Sequence, residues 1–181
     1  QRQMCIRDRV DKEEAKDWLS LAARQGHSDA QFNLGLLYEN HATTTGEHKE
    51  AHQWYLESAR NGHARAQFNL GLKLLRGNGI GVNKEEGLLW VRSAAEQNLD
   101  HAQFMLGHFY EKGLVGETDT IEAELWYRKA ADQGNGDAEF ALAVLHYNGD
   151  GIPRDYKQAA SLFHRAALKG DPIAQSSYAN M

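Results

Sequence analysis

One six-residue block returns along this chain at a constant interval, and that recurrence constrains the fold more than any other feature. Ala-Gln-Phe-x-Leu-Gly occupies Ala30 to Gly35, Ala66 to Gly71 and Ala102 to Gly107. It comes back as Ala138-Glu139-Phe140-Ala141-Leu142-Ala143 and, faintly, from Ala174 to Ala179. Each step is 36 residues, with no insertion or deletion. Tryptophan keeps the same phase at Trp18, Trp54, Trp90 and Trp126, with Leu162 in the fifth slot, and alanine follows five residues later at Ala23, Ala59, Ala95, Ala131 and Ala167. Unrelated residue types recurring in one register mean that the chain is built from repeated units of two elements each, stacked so that neighbours share a core.

The punctuation within a period marks two helices. Asp11, Glu47, Asn83, Asp119 and Asp155 each precede Glu14, Glu50, Glu86, Glu122 or Gln158 by three residues, the spacing of a reciprocal capping box at a helix start. Gly26, Gly62, Asn98, Gly134 and Gly170 stand where that helix should stop in a left-handed residue. Asp171-Pro172 starts the other helix with a capping acid and a proline at the first helical position. His27 and His63 occupy the same entry slot. The expected fold is therefore all-α: a right-handed α-solenoid of helix–turn–helix repeats. Small residues such as Gly35 and the alanines should let helices approach closely, and tryptophan should fill the wedge between repeats. Trp54→Ala is accordingly expected to cost about 3–5 kcal/mol.

The expected domain is 10–181, comprising a half-repeat 11–26, repeats 27–62, 63–98, 99–134 and 135–170, and a half-repeat 171–181. Residues 1–9 read as foreign to it. Met4-Cys5-Ile6-Arg7-Asp8-Arg9 resembles the translation of a transposase-type sequencing adapter (ATG TGT ATA AGA GAC AG), the alternative being a short basic arm. On this reading the true N-terminus is missing, the lone Cys5 leaves the argument, and the chain ends inside a helix of a fifth repeat. Compartment, cytoplasmic or periplasmic and secreted, stays open, as does the oligomeric state.

The motifs carry a resemblance. Ala-Gln-Phe-x-Leu-Gly-x-x-Tyr is followed by a glycine-paired turn (Gly77-Asn78-Gly79-Ile80, Gly149-Asp150-Gly151-Ile152). A second helix like Ala123-Glu124-Leu125-Trp126-Tyr127-Arg128-Lys129-Ala130-Ala131 completes a unit similar to the Sel-one-like repeat (SLR) family, kin of tetratricopeptide repeats. A plain tetratricopeptide array fits less well, its unit being about 34 residues. The segment Asn40 to Gly46 (NHATTTG) lacks the paired glycines and should loop differently. The resemblance implies an adaptor or scaffold that binds protein. It also implies a runner-up, a β-lactam-binding or enzyme-associated repeat protein, or the regulatory part of a larger enzyme. The cysteine-rich branch tied to β-lactams uses one disulfide per repeat, and this chain has a single cysteine.

Repetition itself separates structural from binding positions. On a helical projection starting at Ala30, positions 30, 31, 34, 35 and 38 share one side of the helix and repeat faithfully. Positions 29, 33, 37 and 40 form one adjoining stripe and change. Their occupants give the candidate partner-binding stripe: Asp29, Asn33 and Leu37; Arg65, Asn69 and Lys73; His101, Met105 and Phe109; and Leu145, with Asn40, Arg76, Lys112, Asp137, Ala141 and Asn148 extending it. Apolar residues between charged edges suit a peptide or partner helix, and in tetratricopeptide-like superhelices the first helix lines the concave wall. The competing reading makes Leu37, Phe109 and Leu145 inter-repeat core.

Other chemistry is poorly supported. His48 and His52 have ligand-like i, i+4 spacing but no completing set, and His-Glu-x-x-His is absent, so no metal or other cofactor is expected. Gly77 to Gly81 follows a helix and lacks the Gly-Lys-Ser/Thr ending of a phosphate loop. A net charge of −5 offers no basic surface for nucleic acid despite the Trp-Tyr pairs at 54–55 and 126–127. No apolar run is long enough for membrane insertion, and no nucleophile–base spacing argues for an enzyme.

Overall fold

The computed structural model describes residues 14, 16–41, 44–77 and 81–181. The expected cap Asp11 and the centre of the turn at 78–80 lie outside them, as does the segment 1–9. Among the described residues all regular structure is helical: α1 (16–24), α2 (Ser28–His41), α3 (Thr45–Arg60), α4 (Ala64–Arg76), α5 (Lys84–Glu96), α6 (Asp100–Glu111), α7 (Thr120–Asp132), α8 (Gly136–Asn148), α9 (Tyr156–Leu168) and α10 (Pro172–Ala179). The chain divides into two compact units, Gln1–Ala94 and Ala95–Met181.

The turn chemistry behaves as the sequence predicts. Gly26, Gly62, Asn98, Gly134 and Gly170 all take positive φ, so each second helix ends in a left-handed residue; Asn98 is the one non-glycine that does so among the described residues. Helix starts are capped by side chains. His63 Nδ1 accepts from the Ala66 N–H, Asn135 from Ala138, and Asp171 from Ile173 and Ala174, while Leu99 at the same slot has no cap to give. Asn83, Asp119 and Asp155 cap the second helices as expected.

Two details differ. α3 begins at Thr45, so Glu47 lies within its first turn instead of preceding it. The second arm of the capping box is also replaced. The backbone N–H of Asn83, Asp119 and Asp155 donates to Leu74, Tyr110 and His146 carbonyls of the preceding helix at 2.9–3.0 Å, so it is not free for a returning carboxylate, and Glu86 accepts from the Asn83 side-chain amide instead (3.0 Å).

In unit 1, α2, α3 and α4 pack in succession around Phe32, Tyr55, Ala59, Ala66, Leu70 and Leu74. In unit 2, α6 to α10 do the same around Tyr127, Leu142, Leu162, Phe163 and the alanines between them. The close approach expected at small residues is present: a Cβ on Gly35 would sit 2.9 Å from the Tyr55 ring, and one on Gly107 would sit 2.7 Å from Tyr127.

Those contacts correct the expected role of tryptophan. Tyr55, Val91 and Tyr127 are completely enclosed and Phe163 in the same slot is buried, whereas Trp54, Trp90 and Trp126 are half-buried and Trp18 is 64% exposed. Tryptophan lies on the flank. Trp54 lays one face on the Ala23–Ala30–Leu34 cluster of the preceding helix pair, and Trp126 carries Lys129 Nζ over its ring at 3.8 Å. The residue after each tryptophan points into the helix pair and fills the core. Trp54 is therefore not the deeply buried aromatic whose loss would cost most.

Candidate protein-interaction surface

The first helices α2, α4, α6 and α8 present two faces of opposite character. Ala30, Gln31, Leu34 and Gly35 are buried in α2; Ala66, Gln67, Leu70 and Gly71 in α4; and the equivalent Ala102 to Gly107 and Ala138 to Ala143 sets in α6 and α8. The changing positions vary in depth. Asp29, Asn33, Arg65 and His101 are exposed, and Asn69 and Met105 are half-buried. Leu37 packs half-buried against the Ala23 cluster, and Phe109 and Leu145 are each only 6% exposed. The competing core reading therefore describes Phe109 and Leu145. Slot 37 lies at the edge of the buried face, so an apolar side chain there folds inward. Lys73, in the same slot, carries its Nζ over the Tyr55 ring (5.7 Å to the centroid) and pairs with Glu39.

Two polar systems beneath this face are not evident in the sequence. The repeated glutamine holds successive helices together: Nε2 of Gln31, Gln67 and Gln103 donates to the Ala23, Ala59 and Ala95 carbonyls at 3.0–3.1 Å. Its oxygen accepts from Asn61 on Gln31 (2.8 Å) and from Gln133 on Gln103 (2.7 Å). A buried amide with both ends satisfied ties the end of one helix pair to the next. In the fourth repeat the slot holds Glu139, 1% exposed, which cannot donate. Arg165 bridges Glu139 Oε1 (2.6 Å) and the Ala131 carbonyl (2.9 Å), and Lys169 bridges Oε2 (2.6 Å) and the Gly134 carbonyl (2.9 Å). A faint signal exists: the Gln-to-Glu change arrives together with Arg165 and Lys169 near the end of the following second helix.

The second system alternates. Tyr55 Oη donates to Glu39 Oε2 (2.6 Å), and Tyr127 Oη to Glu111 Oε2 (2.7 Å). The repeats between and after them carry Leu75 with Val91 and Tyr147 with Phe163 in these positions. Burial pushes the carboxyls of Glu39 and Glu111 up. Hydrogen bonds from Lys73 and Tyr55 to Glu39, and from Lys112 and Tyr127 to Glu111, outweigh that and hold both below the usual carboxylate range. Burial, with the charge of Lys73 on His52 and of Arg65 on His63, holds these imidazoles below their usual range, against the opposing pull of Glu86 and Asp29.

All four groups bind protons more readily in the unfolded chain. A group whose folded pKa is depressed contributes stability above its unfolded pKa and loses it as pH falls through the folded value. Stability should be full between about pH 6.5 and 10 and, going down, fall first as the histidines protonate, then again below about pH 4.5 as the carboxylates do. His63→Asn, which places at slot 63 the cap seen at Asn135, should reduce the first decline. Urea midpoints measured across this range check it. Stability that stays flat down to about pH 5 would contradict the assignment.

Among the described residues no group of three His, Cys, Asp or Glu side chains converges to hold a metal ion, and no helix is long and apolar enough to cross a membrane.

The Sel1 repeat family model matches residues 7–27, 28–63, 64–99, 100–135 and 136–171. A protective antigen of uropathogenic Escherichia coli strains, which displays an SLR fold, is similar at 33% identity and a TM-score of 0.82. The match covers 90% of this chain and 35% of that one. A Sel1 repeat protein from Oxalobacter formigenes matches at 33% identity and a TM-score of 0.81, over 94% of this chain and 73% of its own. The Helicobacter pylori cysteine rich protein B matches at 27% identity and a TM-score of 0.58, over 75% of this chain and 97% of its own. The comparison with curated proteins finds no match. Such repeats generally serve as protein-interaction scaffolds and are usually non-enzymatic. With five in-register matches covering most of its length, the chain belongs to the Sel1 repeat family.

Proposed function

We propose that this chain binds a partner protein, as a peptide or a helix, on the exposed varying faces of its first helices. One observation carries the reading. Within a single helix, positions that repeat are buried and satisfied, whereas Asp29, Asn33, Arg65 and His101 change identity between repeats and stay open to solvent. A side chain that neither packs nor repeats is free to be selected for recognition. Half-buried Asn69 and Met105 widen the surface in their own units, and Leu37 and Lys73 support it from its edge. Phe109 and Leu145 belong beneath it.

The test treats the units separately. Asn33→Arg with Arg65→Glu alters unit 1, and His101→Glu with Met105→Ala alters unit 2. Affinity capture from the native host followed by mass spectrometry identifies the partner. At least one pair should then weaken that complex by about tenfold or more, the effect of losing one or two good contacts, with helical circular dichroism unchanged. Retention of full affinity by both pairs would refute this surface.

A further inference from the structure

Two recesses, one in each unit, fall at the same place in the repeat. In unit 1 a recess of about 190 Å³ lies between α2 and α4 and is lined by Glu39, Asn69, Leu72, Lys73 and Arg76. In unit 2 a recess of about 300 Å³ lies between α8 and α10, with Tyr147, Ser177, Asn180 and Met181 in its wall. Glu39 and Tyr147, Asn69 and Ser177, Leu72 and Asn180, and Lys73 and Met181 are each separated by three full periods of the repeat. The slot beside both is filled by an aromatic residue of the intervening second helix, Tyr55 or Phe163. The two recesses thus stand on equivalent residues of the repeat while their chemistry differs.

In unit 1 that chemistry is cationic. Both carboxylate oxygens of Glu39 are engaged: one accepts from Tyr55 Oη at 2.6 Å and the other is held by Lys73 Nζ. Asn69 lines the recess beside them. Glu39 and Lys73 cancel in charge, and Arg76 remains at the rim, exposed and without an ion-pair partner among the described side chains. A guanidinium beside a pre-satisfied Glu–Lys–Tyr cluster offers paired donors matched to a planar carboxylate.

We propose that the unit 1 recess receives an aspartate or glutamate side chain of a partner segment, bound by Arg76 at the rim and oriented by Asn69 and Lys73. In the equivalent recess of unit 2, Tyr147 and Met181 stand in place of Glu39 and Lys73. The contact rests on the proposed protein-binding role and adds to it the chemistry of one group on the partner. Because the rim is solvated, it acts mostly on encounter rate and weakens with salt.

The experiment selects a displayed random-peptide library on the full chain at low ionic strength. Selected binders should share an acidic residue, and its replacement by the amide should weaken binding by about tenfold, the scale of one charge-assisted pair. Arg76→Glu and the gentler Arg76→Gln should reproduce that loss without changing the circular dichroism, while Met181→Lys in unit 2 should not. Binders with no shared acidic residue, binding unchanged in both Arg76 variants, or no selectable binder would each overturn the inference. The wider role fails separately: if the captured host partner is lost on altering Asn33 and Arg65 or His101 and Met105 but retained by Arg76→Glu, the scaffold reading stands without this contact.

Discussion

Tyr127→Ala should destabilise unit 2 by about 3–5 kcal/mol, the range for emptying a large aromatic from a core, while Trp126→Ala, one residue away, should cost less than half as much. Tyr127 is 1% exposed, lies against the Gly107 backbone and sets its ring 5.6 Å from that of Phe104. Its removal leaves a cavity that α6 and α8 cannot close without abandoning their own alanine contacts. Trp126 is half-buried and has the Lys129 Nζ over its ring, so water can replace much of what it loses. Tyr127→Phe isolates the hydroxyl, whose loss deprives Glu111 of one partner and should cost about 1 kcal/mol. Denaturant unfolding of the three variants decides the order. Equal losses at 126 and 127 would mean that the core has been misplaced by one residue.

The second large effect concerns Glu139. Replacing both Arg165 and Lys169 with methionine leaves a buried carboxylate unpaired and should cost about 3–5 kcal/mol. Adding Glu139→Gln should recover most of that loss. The amide at this slot then donates to the Ala131 carbonyl, as Gln103 does to Ala95 at 3.1 Å. The recovery is the informative part, because it separates a charge that needs partners from a position that needs packing. A triple variant no more stable than the double would show that the two cations act through something other than Glu139.

These expectations rest on parts of the chain that are legible to different degrees. Helix ends can be read almost completely, because a left-handed stop is a local property: Asn98 stands in for glycine at φ 64° and is recognisable by position alone. Depth is harder. Tryptophan recurs at 18, 54, 90 and 126 and so points to the core, yet the buried residue that follows this slot varies as Tyr55, Val91, Tyr127 and, after Leu162, Phe163. Recurrence of a residue type reports that a shape is needed, and a large amphipathic ring is needed on a half-covered flank as much as in a core. The candidate stripe varies in depth at slot 37 for a related reason. That slot borders the buried face, so its depth depends on what the next helix offers: an alanine-lined gap draws Leu145 inward, and Glu39 draws Lys73 across Tyr55. Slots 29 and 33, farther around the helix, are exposed as expected in α2. The glutamine ladder and the Tyr–Glu pairs escape such a reading because each joins groups in different helices, beyond the reach of any helical period.

That the varying exposed faces of the first helices hold a protein partner is tested most directly by calorimetric titration. The captured partner is titrated against four forms of the chain: wild type, Asn33→Arg/Arg65→Glu, His101→Glu/Met105→Ala, and a second-helix control, Arg128→Glu. One or both first-helix variants should weaken binding by about tenfold or more while the control binds as wild type. Loss of affinity in the control alone, with both first-helix variants unchanged, would contradict this placement of the partner.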